Sequence, residues 1–355
     1  MRPLLVPAAR TAAARTARAR TAVVLTVAAL ALAGCSGGDP AQAEAPADAL
    51  VIYNAQHEQL TEEWVEVFTE ETGIDVVLRN GSDSELGNQL LAEGADSRAD
   101  VFLTENSPAM SLVERAGLLA PVEEATLGAV PEQFRPSSGL WTGIAARSTV
   151  FVYNTDELTE SELPTSIMDL AEPEWAGRWG GAPSGADFQA IVAAMLELEG
   201  EEATAAWLDA MASGAEIYRN NIVTMKAVDD GEVPGGISYH YYWSRDQNGT
   251  KENSANTALH YFGNEDPGAF VSVSGGGVLA SSENQEKAQE FLTWLTGPTG
   301  QQILGEGYSF EYPVASDVPA REPLPPLAEL GAPVVDPSSL DGPAVVDLMT
   351  DVGLL

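Results

Sequence analysis

Four consecutive residues of this chain carry three phenols and one imidazole. They are Tyr239, His240, Tyr241 and Tyr242, in the stretch ISYHYYWSRD at 237–246, although the chain has only nine tyrosines and three histidines. Successive residues of a strand point to opposite faces, so a strand would separate Tyr241 from Tyr242. A helix end or an irregular loop could direct both phenols to one side. The stretch alone is compatible with an aromatic strand edge or with a pair of converging ligands.

Two further polar side chains follow predicted strands near the start of the fold. His57, in YNAQHEQ, follows the strand predicted at 50–54, and Glu105, in DVFLTEN, ends the strand predicted at 99–105. Ligands of open α/β sheets collect outside the carboxyl ends of the strands. Each residue alone could be an ordinary loop side chain, since the chain has 53 acidic residues. Their joint placement favours a shared site modestly.

One imidazole, one carboxylate and two phenols would suit a hard, highly charged cation. Phenolate is a known ligand of iron. Because the pKa of free tyrosine is about 10, two adjacent phenols ionise at neutral pH only beside a strong positive charge, such as a bound metal. Zinc and copper sites more often use several His or Cys ligands, and calcium needs more carboxylates and carbonyls. The donor set therefore favours ferric iron.

Alternating strands and helices must position these residues. Apolar and β-branched runs predict strands at 50–54, 74–78, 99–105, 150–154 and 271–280. Helical periodicity and capping signals predict helices at 59–71, from Ser82 to Glu93, from Ser107-Pro108, after Ser184, at 201–212, at 222–230 with Asn221 as its cap, at 283–297 and at the C-terminus. This alternation predicts an α/β fold with a parallel, helix-covered sheet.

The first 34 residues are typical of a lipoprotein signal peptide. Five arginines precede the apolar run AVVLTVAALALAG, which ends in LAGC and resembles the bacterial lipobox. At about 13 residues, the run is short for a membrane span. Cys35, the only cysteine, is the predicted lipidation site, although it could be a stray cysteine in an ordinary signal sequence. We expect an exported protein that is lipid-anchored to the outer face of the cell membrane, with residues 35–49 as a flexible linker.

The composition limits the partners and suggests the domain count. Without the five signal arginines, 12 basic residues face 53 acidic ones, a formal net charge of −41. A nucleic acid would be repelled by this charge. Residues 50–355 are too many for one ordinary core, so we expect two lobes.

Several motifs resemble the bacterial ferric-ion-binding proteins, which are the iron-capturing receptors of ABC importers. In chain order these motifs are YNAQHEQ, ADVFLTEN, SGA at 184–186, GEVPGGISYHYYW, EDPGAFVSVSGGGVL and EYPV. The tyrosine pair after GEVP is the most specific of them. GEVP and DPGA also occur in sibling receptors for other ligands.

This resemblance implies a ligand set for Fe³⁺. The metal ligands would be His57, Glu105, Tyr241 and Tyr242. The resemblance also implies a synergistic phosphate or carbonate, held by Ser184, Gly185, Ala186, Asn106 and Asn221. An anion at 184–186 is physically reasonable, because a helix start presents free N–H groups.

Two positions depart from the pattern of that family. Tyr239 stands where an asparagine often helps to hold the anion, and Asn106 stands where a glutamine is common. We expect Tyr239 to pack or hydrogen-bond at the edge of the site, the alternative being an additional ligand. Both departures leave the identity of the anion open.

The resemblance also implies the two-lobed type II periplasmic-binding-protein fold, in which each lobe is a mixed sheet flanked by helices and two crossover strands join the lobes. Lobe 1 would comprise 50–147 and 272–322, and lobe 2 would comprise 148–271 and 323–355. We expect a monomer that closes on iron and is then recognised by an ABC transporter permease.

Two other classes of function remain open from the sequence. A receptor for an organic cation such as thiamine or a polyamine, or for an organophosphonate, would use aromatics and acids for stacking and pairing. His57 beside Glu105 argues against it, since such ligands have little need of a metal-type imidazole. A surface phosphoesterase is a remote alternative, because the chain contains no HExxH or P-loop motif. We therefore expect a binding protein and not an enzyme.

Overall fold

A computed structural model describes residues 48–315 and 317–355. The predicted signal peptide, Cys35 and most of the linker lie outside the described residues. Within the described part, no helix is both long and apolar enough to cross a membrane.

The first part of the chain alternates strands with helices, as the periodicity predicts. Its elements are β1 (Leu50–Asn54), α1 (Glu58–Thr72), β2 (Val76–Asn80), α2 (Asp83–Glu93), β3 (Val101–Leu103), α3 (Ser107–Arg115) and α4 (Glu124–Ala129). β1 pairs in parallel with both β2 and β3. The carboxyl ends of β1 and β3 therefore lie side by side, which places the loops after them at one edge of the sheet.

The next strand, β4 (Thr142–Asn154), is buried along its whole length and changes partner in the middle. Residues 142–148 pair with β9 (Val271–Val278), which also pairs with β3. From residue 149, β4 pairs with β7 (Gly235–Tyr239) and β8 (Thr257–His260). The strand order is β2-β1-β3-β9-β4-β7-β5-β6, where β5 is Trp179–Gly181 and β6 is Glu216–Ile217, with β8 beside β4. β4 thus joins two parts of one mixed sheet.

The second part of the chain adds the remaining elements. They are β5 (Trp179–Gly181), α5 (Ala186–Glu199), α6 (Glu201–Gly214), β6 (Glu216–Ile217), α7 (Asn221–Asp229), α8 (His240–Asn248), α9 (Gln285–Leu295), α10 (Pro298–Glu306) and α11 (Gly342–Asp351). Short 3₁₀ helices lie at Gly94–Asp96, Glu132–Phe134, Glu160–Glu162, Ile167–Ala171, Pro173–Trp175, Pro267–Ala269 and Leu327–Glu329.

The apolar side chains form separate clusters on the two parts of the sheet. Trp64 and Phe68 of α1 pack with Phe291 of α9 against the first part. Trp179 and Trp207 belong to a different cluster on the second part. Each part of the sheet therefore has its own core.

The predicted α/β fold is confirmed, with differences in detail. The sheet is mixed and not purely parallel, because β4 and β9 run antiparallel to their neighbours. The strand predicted at 74–78 lies at Val76–Asn80, and the one predicted at 99–105 spans only Val101–Leu103. In this second case the strand ends at Leu103, although the Thr104 N–H still donates to the Gly275 carbonyl of β9 at 2.9 Å.

The helix caps also differ in part from the sequence prediction. Ser82 caps α2 as predicted, accepting a hydrogen bond from the Glu85 N–H. The cap of α7 is Asn220 and not Asn221, since the Asn220 side chain accepts from the Val223 N–H. Ser107 is the first residue of α3 and not its cap, and its hydroxyl donates to the Val273 carbonyl. The side chain of Asn221 therefore does not cap α7.

Candidate metal centre

The two adjacent tyrosines lie at a strand-to-helix junction. β7 ends at Tyr239, and α8 begins at His240, so Tyr241 and Tyr242 occupy the first turn of a helix. Their rings are stacked, with centroids 4.1 Å apart and planes inclined by 30°. The helix start thus directs both phenols to one side, which a strand could not do.

The close approach of β7 to β4 requires a glycine. A Cβ at Gly235 would lie 2.1 Å from the ring of Phe151. With no side chain there, β7 can pair with β4 along its length and deliver α8 to the middle of the sheet.

His240 is a structural residue and anchors the start of α8. Its Nδ1 accepts from the Ser148 N–H at 3.1 Å, and its Nε2 donates to the Phe310 carbonyl at 2.8 Å. These two partners assign the proton to Nε2. Burial lowers the pKa of His240 to about 4. This neutral, fully buried ring is thus excluded as a metal ligand by its own hydrogen bonds.

His57 and Glu105 lie on the loops after β1 and β3, as predicted. Asn54 fixes the first loop, since its side chain donates to the Gln56 carbonyl and accepts from the Gln56 N–H. The carboxylate of Asp83 fixes the second loop by accepting from the backbone N–H of Glu105 at 2.8 Å. His57 Nε2 lies 3.6 Å from Glu105 Oε1.

The two pairs of predicted ligands meet. The Tyr241 hydroxyl donates to Glu105 Oε1 at 3.0 Å. The ring of Tyr241 also lies against the ring of His57, with centroids 5.2 Å apart. All four predicted metal ligands therefore lie around one point, although they come from positions 57 to 242 of the chain.

A second carboxylate, which was not predicted from the sequence, completes the cluster. Asp187 is in the first turn of α5 and is almost completely buried. Its carboxylate accepts from Tyr242 at 3.0 Å and more distantly from Tyr241 at 3.4 Å. The side-chain amides of Asn106 and Asn221 also donate to it, at 3.0 and 2.8 Å. In sequence, Asp187 is an ordinary first-turn acid, so nothing marked it as a ligand.

Burial sets the protonation of the cluster in the absence of metal. Burial raises the pKa of Asp187 to about 6, and the charge of Glu105 acts in the same direction. Burial and the charge of Asp187 raise the pKa of both Tyr241 and Tyr242 well above the ordinary value. The phenols are therefore neutral, and their hydroxyl groups donate hydrogen bonds to carboxylates.

A buried ion pair lies next to the cluster and contacts it. Arg147 and Glu311 are both fully buried and form a salt bridge. Burial opposes ionisation of Glu311, but Arg147 and other partners outweigh it and lower its pKa. Gln56 connects the pair to the ligands, since it donates to Glu311 at 3.3 Å and accepts from the His57 N–H at 2.7 Å. The Arg147 guanidinium also lies 5.7 Å from the centroid of the Tyr241 ring.

The donor set fits ferric iron better than the softer metals. Within residues 48–315 and 317–355, no three His, Cys, Asp or Glu side chains form a metal-binding group by themselves. The convergence instead depends on the two phenols, which are hard oxygen donors.

Known proteins carry the same architecture. Residues 96–334 match the family described as bacterial extracellular solute-binding protein. The chain belongs to this family. It is 58% identical over 315 residues to the Fe(3+)-binding periplasmic protein of Serratia marcescens, covering 89% of this chain and 93% of that protein. It is 34% identical over 301 residues to the major ferric iron-binding protein of Neisseria meningitidis serogroup B, covering 84% and 91%.

A solved structure agrees with this membership. The chain superposes on iron-bound HitA from Pseudomonas aeruginosa with a TM-score of 0.80 at 40% identity, over 86% of this chain and 99% of that one. The expected type II periplasmic-binding-protein fold and the resemblance to ferric-ion-binding proteins are confirmed.

The predicted anion-binding residues of this solute-binding protein are only partly together. Asn106 and Asn221 meet at Asp187. Ser184 is exposed, Gly185 is the N-cap of α5 with its N–H donated to the Ala182 carbonyl, and Ala186 is the first helical residue. An anion at 184–186 stays a prediction.

Tyr239 lies beside the cluster. It is fully buried, and its ring centroid is 6.4 Å from that of Tyr241. Its role at the edge of the site stays a prediction.

Proposed function

We propose that this chain captures Fe³⁺ outside the cytoplasm and delivers it to an ABC importer. The observation that carries the proposal is the convergence of five donors: His57, Glu105, Asp187, Tyr241 and Tyr242. Relatives with high identity bear the names of ferric-iron-binding proteins, which supports the same cargo here.

We assign each proposed ligand a role. Iron displaces the phenol protons, and the two phenolates with Glu105 and Asp187 supply four negative charges to Fe³⁺. His57 adds a neutral nitrogen through Nε2, which has no hydrogen-bond partner among the described residues. The Arg147–Glu311 pair is not a ligand and holds the ring of Tyr241 and the loop of His57 in place.

Asp187 also takes the place of the predicted synergistic anion. The residues expected to hold a phosphate or carbonate include Asn106 and Asn221, and both donate to the Asp187 carboxylate. A carboxylate in the first turn of α5 interacts favourably with the positive end of the helix dipole, as a free anion would. An exogenous anion at Ser184, Gly185 and Ala186 is the alternative.

The proposed lobes follow from the partner change of β4. Lobe 1 comprises 50–147 with 272–322, and lobe 2 comprises 148–271 with 323–355. The pairing of β4 changes from β9 to β7 between Ser148 and Thr149, and each side has a separate core. In this division Glu105 belongs to lobe 1 and Tyr241 to lobe 2, so iron favours closure by bridging the two.

Export and attachment follow from the N-terminus. The LAGC sequence and the basic, apolar leader support lipidation at Cys35 and tethering to the outer face of the membrane by the linker. We further propose a monomer whose partner is an ABC transporter permease and which carries no catalytic activity.

A titration tests the iron assignment. The exported, processed chain in mild detergent is titrated with ferric citrate, with and without phosphate or bicarbonate, while the visible spectrum is recorded. We expect a red-brown phenolate-to-iron charge-transfer band that saturates at one iron per protein without added phosphate or bicarbonate. No band, together with thermal protection by thiamine, a polyamine or a phosphonate, would favour the organic-ligand receptor.

A further inference from the structure

Arg245 is a cation beside the site, and it forms no ion pair with any residue that the structure describes. It lies one helical turn after Tyr241 on the same face of α8 and is partly exposed. Among the described residues, no carboxylate lies within ion-pair distance of its guanidinium, although the chain has 53 acidic residues. The neighbouring Asp246 is engaged instead with the side chains of Asn253 and Ser254.

The guanidinium of Arg245 lies over an aromatic ring from the opposite lobe. Its central carbon is 5.1 Å from the centroid of Tyr308, which follows α10 in the proposed lobe 1. Stacking on a ring occupies the face of a guanidinium but leaves its edge of N–H donors free. Within the described part of the chain, the N–H donors of Arg245 therefore have no hydrogen-bond acceptor.

The charge of Arg245 also reaches the proposed ligands. It acts electrostatically on both His57 and Glu105. A positive charge there disfavours a bare ferric ion, so its presence fits a cargo that arrives with negative charge. Free Fe³⁺ hydrolyses at neutral pH, and polycarboxylate complexes keep it in solution as anions. Such anions would be repelled by a chain of net charge −41 unless a local cation received them.

We propose that Arg245 determines the specificity of loading by receiving a free carboxylate of an incoming ferric polycarboxylate complex. This inference rests on the proposed iron function and names the form in which iron arrives. The planar edge of the guanidinium matches a carboxylate through two parallel hydrogen bonds. This docking holds the complex one helical turn from Tyr241.

The transfer balances without a redox step. Iron stays Fe³⁺ while its bonds to the chelator carboxylates break and bonds to the phenolate oxygens of Tyr241 and Tyr242 form. The two phenol protons pass to the released carboxylates or to water. The chelator then leaves from Arg245 as a free polycarboxylate.

The test compares two iron donors in stopped-flow measurements of the charge-transfer band. One donor is ferric citrate, and the other is the neutral tris(acetohydroxamato)iron(III) complex, which has no carboxylate. The variants of the processed full chain are Arg245→Gln, Arg245→Lys and the control Arg98→Gln, which removes an exposed cation that precedes β3, whereas Glu105 follows that strand. Iron stoichiometry at equilibrium is recorded for each.

We expect Arg245→Gln to slow loading from ferric citrate about tenfold and to leave loading from the hydroxamate within about twofold. Arg245→Lys keeps the charge and should regain part of the citrate rate, and Arg98→Gln should load as the wild type does. Equal slowing with both donors would assign Arg245 to lobe closure or to folding and overturn the proposal. An unchanged citrate rate would also overturn it. If the wild type shows no band with either donor, the iron function itself fails.

Discussion

The two halves of the proposed iron site are built differently. His57 and Glu105 stand on loops after parallel strands, and their side chains keep 18% and 22% of their surface exposed. Tyr241 and Asp187 stand in the first turns of helices and are buried, and hydrogen bonds connect the carboxylate to four donors. In the buried half every phenol proton has a hydrogen-bond acceptor before iron arrives, whereas His57 and Glu105 remain partly exposed to solvent.

This difference indicates how the site is made selective. A cluster of neutral phenols around one carboxylate is stable without metal, because each phenol proton has an acceptor. Only a cation of high charge can displace those protons, so the site discriminates against cations of lower charge. His57 and Glu105 then contribute affinity and the closing contact.

The largest effect should come from removing the phenols. The double variant Tyr241→Phe with Tyr242→Phe loses two anionic ligands, and we expect iron affinity to fall at least about a thousandfold and the visible band to disappear. Affinity is measured by competition with citrate. Tyr218→Phe, in the partly buried tyrosine before α7, is the matched control. A double variant that still showed the band would remove the tyrosines from the site.

The next largest effect should come from the carboxylate of the buried half. We expect Asp187→Asn to lower iron affinity about a hundredfold, since a neutral amide replaces an anionic ligand. Phosphate or bicarbonate should then restore about tenfold, while changing the wild type less than threefold. Asp209→Asn, at an exposed position on α6, serves as the control. A wild type that needs added anion would show that Asp187 does not replace it.

Acid should weaken iron binding, mainly through the buried half of the site, which contains the phenols and Asp187. Binding releases two phenol protons, so affinity should fall about a hundredfold per pH unit between pH 7.5 and 6.5. Because burial raises the pKa of Asp187 to about 6, its carboxylate also takes up a proton below that pH. The slope should therefore steepen below about pH 6 in the wild type and not in Asp187→Asn. Competition with a chelator of known protonation measures it, and equal slopes would contradict the assignment.

The smallest effect on iron affinity is expected from the histidines, and it should distinguish His57 from His240. We expect His57→Gln to lower affinity about tenfold, because one neutral ligand is lost and the anionic ones remain. His240→Gln, next to Tyr241, should change affinity less than twofold, since its two ring nitrogens already have backbone partners. The same competition assay distinguishes them. A larger loss in His240→Gln than in His57→Gln would reverse the two roles.

His240 should instead affect stability. Its pKa falls from about 6.5 in the unfolded chain to about 4 in the folded one. The folded state thus favours the neutral ring, and this contribution is complete above pH 6.5 and lost as pH falls toward 4. The difference in melting temperature between wild type and His240→Gln should therefore shrink from pH 7 to pH 5. A difference that does not change with pH would mean that the ring keeps its usual pKa.

The site was partly predictable from particular residues. His57 and Glu105 were found because a strand followed by a polar residue places that residue at the sheet edge. The tyrosine pair was found because adjacent phenols are rare and match a family motif. Asp187 was missed because acids in the first turn of a helix are common and stabilise it without any ligand role. Its partners Asn106 and Asn221 were predicted as site residues, but as donors to an external phosphate or carbonate and not to a carboxylate of the chain itself.

The sequence by itself determined the α/β class, the iron-type donor chemistry and the ends of the strands on which His57 and Glu105 stand. These follow from local periodicity and residue chemistry, which need no knowledge of distant contacts. Only the tertiary structure decided that β4 changes partner in its middle, that Asp187 contacts the phenols and that Arg245 stacks on Tyr308. Each of these depends on residues far apart in sequence, which packing of the whole chain alone brings within contact.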